Sequence, residues 1–433
     1  MPFAMPRLLH RPALVEKATH PLGLAAPMLL SEHEQPTAVH YRILALTWAG
    51  WLFDFYDLIL YTFLLRLISA ELHFGRETHA LLLGASLGAT ALGGMVFGYL
   101  ADRHGRKAVL QWSILTYSAG TALCGLAGGV TSLLLARVLT GLGVGGEWAI
   151  GHALLGEAVP PRLRGRFGAL LQTGAPVGVG LAAVVGSFLA PVIGWRATFI
   201  LSGLPALLVT ATRRALPESD LWQVSRSAKA PRAGGRRFPP SLRRQLVLAF
   251  GLAVLNMSSY WLTFTWLPTY LVEERGLSIA ASGLRILVVV AGELLGYASF
   301  GFVSDRFGRK PAFSAYATLM AVGLVSITLL WPAIVLWPPL LLFCLWLVGF
   351  GTGTWSNFGP MFAELFPTTL RTTAVGSVFN AARGVQLLTP LVVAVMARRY
   401  GLGGGIALAA GFALAAAAWV WLLPETRGRR IDV

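Results

Sequence analysis

Apolar residues run along the chain in blocks of about 20 or more, the length an α-helix needs to cross the hydrocarbon core of a bilayer. Short charged segments separate them. Twelve blocks are expected: 41–68, 79–101, 108–128, 131–153, 165–189 and 195–216, then 245–271, 280–303, 311–331, 337–362, 372–397 and 402–423, numbered below as spans 1 to 12. Residues 1–40 read as a polar tail, 218–244 as a basic linker bearing Pro and Gly between two groups of six spans, and 426–433 as a second tail. The expected fold class is an all-α membrane protein of two six-helix bundles, over 41–217 and 245–425.

Composition agrees with this pattern. Hydrophobic side chains make up 55% of the 433 residues and charged ones 12%, which excludes an ordinary soluble domain. The net charge of +16 raises nucleic acid as a partner, but most of the 35 Lys and Arg lie in or beside segments that twelve crossings place on one side. By the positive-inside rule that side is the cytoplasm, with both termini there, and the expected location is the plasma (inner) membrane. No nucleic-acid partner is expected; the bilayer is one. No signal peptide pattern opens the chain. Cys124 and Cys344 fall inside spans as small hydrophobes, and no metal site or cofactor is expected.

The two groups repeat. Gly98-Tyr-Leu-Ala-Asp102-Arg103-His-Gly105-Arg106-Lys107 after span 2 returns 203 residues later as Gly301-Phe-Val-Ser-Asp305-Arg306-Phe-Gly308-Arg309-Lys310 after span 8. Each copy predicts a tight hairpin in which the carboxylate accepts from neighbouring arginines or from helix-end N–H groups. Glu157-x-x-Pro-x-x-x-Arg164 after span 4 recurs as Glu364-x-x-Pro-x-x-x-Arg371 after span 10, and Leu216-Pro-Glu218 as Leu423-Pro-Glu425, both offset by 207. Three motif pairs at nearly one offset predict an internal duplication.

With Arg137-x-x-x-Gly-x-Gly-x-Gly-Gly-Glu147-Trp in span 4, this motif set resembles the major facilitator superfamily over residues 41–425. The resemblance implies two bundles rocking about a central site, with the hairpins and the Glu-x-x-Pro-x-x-x-Arg motifs as gating elements. Glu147 is expected in that cytoplasmic-side network.

Ionisable residues inside spans cost several kcal/mol facing lipid, so they are expected to face a cavity or a partner. Asp54 and Asp57 lie on one face of span 1, roughly 17 and 21 Å from the inner surface at 1.5 Å per residue. Arg137 in span 4 lies at roughly 24 Å, near the depth of Asp57. A carboxylate that pairs with a fixed arginine when charged and lets go when protonated is a proton-coupling element; a permanent structural ion pair is the other reading. Arg383 sits roughly 14 Å into span 11, close to the midplane, and offers a fork to an organic carboxylate. Its alternative partner is Glu293, deep in span 8.

Around this depth lie Asn256, Tyr260 and Trp261 in span 7, Gln172 in span 5, Trp355 and Asn357 in span 10 and Gln386 in span 11. Aromatic walls with a few donors suit a small, partly apolar acid, whereas each of these alone also serves as packing. The span 1 acids and the span 11 arginine resemble those of aromatic-acid:proton and sialate/lactate:proton symporters. The function this implies is proton-coupled uptake of a small organic anion, by a functional monomer. Sugar or polyol symport, export and a non-transporting sensor are the alternatives. Span clusters of nucleophile, base and metal ligand that would point to an enzyme do not appear in the sequence.

Overall fold

The computed structural model describes residues 30, 35–160, 163–213, 216–220, 222–223, 240–366 and 371–427. Most of both tails and of the linker therefore lies outside the described residues. So do the side chains of Asp102, Arg164, Glu364 and Arg371.

Nine segments among the described residues are helical, long and apolar enough to cross a membrane. Two of them, Leu170–Leu204 and Ala374–Leu422, are bent rather than continuous, because Gly194 (φ 81°) and Gly401 (φ 71°) take backbone angles that only glycine adopts freely. Each break separates two spans, 5 from 6 and 11 from 12. The less apolar helix Arg106–Gly125 supplies span 3 and completes the twelve.

Span 1 is the helix Ala38–Leu72, span 2 Arg76–His104 and span 4 Val130–Ala158. Span 5 is segmented into Arg164–Gln172, Gly174–Val184 and a π-turn at Val185–Leu189. In the second group, span 7 is Pro240–Phe264 followed by Leu267–Glu273, span 8 is Ile279–Phe307 and span 9 is Arg309–Leu329. Span 10 is Pro338–Gly351 continued by Trp355–Leu365, and span 11 begins as Arg371–Val385.

Within the first group spans 2, 3 and 4 pack together, as do spans 1 and 5 and spans 3 and 6; in the second group spans 8, 9 and 10 pack together, span 7 packs on spans 11 and 12, and span 9 on span 12. The glycine run of span 4 is what lets it lie against span 2. A Cβ on Gly145 would sit 2.0 Å from the Thr90 carbonyl oxygen, so only a bare backbone fits there. Span 2 meets span 11, span 5 meets span 8 and span 1 meets span 7, which joins the two groups about a central seam. Large apolar side chains of the outer spans, such as Leu123, Leu201, Val322 and Leu414, point outward, as a lipid-facing surface requires.

Candidate functional site

Four spans of the first group converge on one buried ion pair. Arg137 Nη1 donates to Asp57 Oδ2 at 3.1 Å, with both side chains shielded from solvent. Thr121 on span 3 donates to the other oxygen, Oδ1, at 2.6 Å. Arg137 Nη2 donates to Ser86 on span 2 at 2.9 Å, and the guanidinium lies 4.8 Å from the centroid of the Tyr61 ring. Equal depth in the sequence thus corresponds to direct contact in space. Ser86, Thr121 and Tyr61 were not marked by the sequence, since a hydroxyl or phenol in a span carries no charge to attract notice.

Asp54, one turn earlier on span 1, faces a different cation. It is buried and within electrostatic reach of Arg383 on span 11, in the other half. Arg383 is 4% exposed, and its Nη1 has no hydrogen-bond partner. The alternative pairing of Arg383 with Glu293 is not formed. Glu293 instead approaches Thr352 of span 10, at 3.4 Å.

An aromatic cluster joins spans 1, 7, 10 and 11. Phe55 of span 1 stands 6.3 Å from both Tyr260 and Trp261 of span 7, Tyr260 meets Trp355 of span 10 edge-on at 5.5 Å, and Trp355 reaches Phe379 of span 11 at 6.2 Å. Tyr260, Trp261 and Trp355 are therefore gathered at the seam. Among the polar residues of similar depth, Asn256 accepts from Thr354 at 2.8 Å, and Gln386 accepts from Ser258 at 3.2 Å and donates to the Ala382 carbonyl at 3.0 Å. Asn357 is buried beside Met361 on its own helix. Gln172 ends the first segment of span 5, its Oε1 buried without a partner. Asn256 and Gln386 thus serve at least partly as internal hydrogen-bonding groups.

At the hairpin end, the three repeated motifs interlock. Gly105 (φ 101°) and Gly308 (φ 107°) reverse the chain between helices and leave the first N–H groups of spans 3 and 9 pointing outward. In the first half Glu218 accepts from Arg106 N at 2.8 Å and Lys107 N at 3.2 Å. Glu425 does the same for Arg309 N at 2.9 Å and Lys310 N at 3.1 Å. The helix-end N–H groups are thus taken by the Pro-Glu motif, and in the second half the hairpin's own Asp305 accepts instead from the Arg309 guanidinium. Burial pushes the Glu425 carboxyl up, but the N–H groups of Lys310, Arg309, Arg427 and Thr426 outweigh it and hold the carboxyl below its usual range. Arg106 also pairs with Glu157 at 3.2 Å, while Arg309 pairs with Asp305 at 2.5 Å. Glu147 is buried within the same span 4. Arg103 donates to Tyr99 at 2.7 Å, and Arg306 lies over the Phe307 ring. Gly98 and Gly301 face open space.

The far end carries ion pairs across the seam. Arg76, opening span 2, meets Glu273 at the end of span 7 at 3.0 Å, and the adjacent Glu77 meets Arg398 at the end of span 11. Within each half, a glutamate ending its first span holds the chain just past the glycine break: Glu71 binds Trp195 and Arg196, and Glu274 accepts from Leu402 N and Gly403 N. Sequence reading passed over this last pair of motifs, although Glu71 and Glu274 share the 203-residue offset of the hairpins.

Residues 47–299 match the sequence profile of the Major Facilitator Superfamily. The chain belongs to that superfamily. It is an integral membrane transporter, not an enzyme. Residues 233–432 also match the profile described as "Sugar (and other) transporter". The chain is 32% identical to the "Probable 4-methylmuconolactone transporter" of Cupriavidus pinatubonensis, over 89% of this chain and 90% of that one. It is 30% identical to the sialic acid transporter NanX of Escherichia coli, over 87% and 92%. Among solved structures the D-xylose-proton symporter superposes with a TM-score of 0.73 at 20% identity, covering 90% of this chain and 99% of that one, which places the twelve spans in the same fold.

Proposed function

We propose that the chain carries a small organic anion, a monocarboxylate or aromatic acid, into the cell together with protons by alternating access. The observation that carries the reading is Arg383: a guanidinium buried at the seam, with one nitrogen unbonded and the acid in reach supplied by the opposite half. A substrate carboxylate takes the place of Asp54 beside Arg383 through a charge-assisted bond, and the aromatic cluster of Phe55, Tyr260, Trp261 and Trp355 holds its apolar body. Asp57 takes the coupling proton and releases Arg137, so that the first bundle rearranges only when loaded. The similarity to a probable 4-methylmuconolactone transporter and to a sialic acid transporter supports an acid as cargo. A neutral sugar would leave Arg383 without a purpose.

In this reading residues 41–217 and 245–425 are the rocking bundles, the linker 218–244 tethers them, and the hairpin end faces the cytoplasm of a plasma-membrane monomer with both termini inside. The far-end ion pairs then close the outer side, and the hairpins with Glu157, Arg164, Glu364 and Arg371 act when the inner side closes. The test is uptake of radiolabelled benzoate, lactate, sialate and sugars into proteoliposomes with an inside-alkaline gradient. Accumulation of an acid, lost in Arg383→Ala, is expected. Uptake of sugars alone would overturn the reading.

A further inference from the structure

Glu293, deep in span 8, is an acid with no ion-pair partner among the described residues. It is 1% exposed, and its Oε2 has no hydrogen-bond partner. Span 10 lies so close that a Cβ on Gly349 would come within 2.9 Å of the Glu293 backbone nitrogen. From that span the Thr352 hydroxyl approaches Oε1 at 3.4 Å, yet the same hydroxyl lies 2.6 Å from the Gly349 carbonyl. A hydroxyl has one proton to give, and the nearer carbonyl takes it. Glu293 Oε1 is then left facing a lone pair.

The groups around it offer no compensation. Tyr260 comes from span 7 and Tyr297 from span 8 itself, both close enough to feel its charge. Tyr316 on span 9 is engaged with Ser299 at 2.7 Å. Span 5, which packs on the opposite side of span 8, presents Gly180 against Val290 and Ser187 against Gly283, with no charge. Among the described residues no Lys, Arg or His forms an ion pair with Glu293. A carboxylate in such surroundings is costly, whereas a carboxylic acid fits: its O–H donates to Thr352 Oγ1, which donates in turn to Gly349.

We propose that Glu293 is a second proton carrier, in the C-terminal half, protonated in this conformation and deprotonated once per transport cycle. The proton binds a carboxylate oxygen from the side where substrate enters and leaves to the other side, adding one positive charge to each turnover. This rests on the proton-coupled reading above, but the two fail differently.

Dicyclohexylcarbodiimide adds to protonated carboxyls in apolar surroundings. With the full chain in detergent at neutral pH, mass spectrometry is expected to find the adduct on Glu293 and not on the ion-paired Asp57; an unmodified Glu293 overturns the proposal. This arm needs no substrate. In proteoliposomes clamped at zero potential, the steady-state accumulation of benzoate driven by one pH unit is expected to be about tenfold lower in Glu293→Gln than in the parent chain, since each coupled proton contributes a factor of ten per pH unit. A merely structural group alters the speed of approach and not the final ratio, so equal ratios also overturn it. A parent chain that accumulates no acid defeats the proposed function instead, and the labelling still decides whether Glu293 holds a proton.

Discussion

Asp57 Oδ2 lies 3.1 Å from Arg137 Nη1 inside the first half, and Thr121 closes on the remaining oxygen. Neutralising the acid leaves a guanidinium buried with no anion, the situation that costs about 3–5 kcal/mol when one partner of a buried pair is removed. Asp57→Asn is therefore expected to lower thermal stability in detergent measurably. It should also lower the gradient-driven accumulation ratio about tenfold per pH unit, by the loss of one coupled proton, while substrate exchange across the membrane at equal pH persists, because exchange needs no net proton movement. Loss of both activities in a folded variant would make the pair a structural strut.

Asp54 lies within electrostatic reach of Arg383, which comes from the opposite half. If the substrate carboxylate must displace Asp54, removing that competing charge frees the arginine, and Asp54→Asn should lower the apparent KM below that of the parent chain. Arg383→Ala removes the anchor and is expected to lower kcat/KM on the order of 100-fold, as about 3 kcal/mol for a desolvated charge contact implies. Uptake kinetics at one pH decide it; an apparent KM unchanged in Asp54→Asn would break the link.

How much of this could be read from the sequence depends on whether a signal is local. Bilayer thickness dictates the length of an apolar run, so the spans stand out, and a glycine at 194 or 401 marks the breaks between the last two spans of each half. Depth along a helix follows from rise per residue, which is why Asp57 and Arg137 could be placed level before their contact was seen. Depth says nothing about azimuth. Asp54 and Asp57 share a face in sequence terms, yet one is associated with span 11 and the other with span 4, and that difference depends on how six helices are rotated around a seam. The capping of span 3 by Glu218 joins residues more than 100 positions apart and leaves no local trace beyond the recurrence of Pro-Glu at the same offset in the second half.

That capping carries a pH dependence. Glu425 is held below its usual range by the N–H groups it binds, so its contribution to stability is complete above the ordinary glutamate range and is lost as pH falls through that range toward the folded-state value. Thermal unfolding of the parent chain in detergent should fall on acidification below about pH 4.5, near the unperturbed glutamate value. Glu425→Gln should lose part of that slope while starting from a lower Tm. Because Glu425 is exposed, the effect is expected to be small. An unchanged slope would mean that the hairpin does not depend on this carboxylate.

The far-end ion pairs allow the conformational equilibrium itself to be tested. Arg76 and Glu77 are neighbours of opposite charge, and each reaches a residue of opposite sign in the other half, Glu273 and Arg398. Both pairs are exposed, and an exposed pair contributes about 0.2–1 kcal/mol, which corresponds to a shift of roughly 1.4- to 5-fold in a two-state equilibrium. Arg76→Glu should therefore open the far end by no more than a few-fold, and adding Glu273→Arg should close it again. Thr62→Cys, placed in the far-end cleft between spans 1, 7 and 8, gives the readout, because the native Cys124 and Cys344 are buried. Its labelling by a membrane-impermeant maleimide is expected to rise in the single charge reversal and return in the double one. Raising the salt concentration should move the parent chain in the same direction as the single reversal, since the pairs are screened over about a Debye length. Labelling insensitive to both salt and charge reversal would show that packing of spans 2 and 11, and not these four charges, sets the closure of that end.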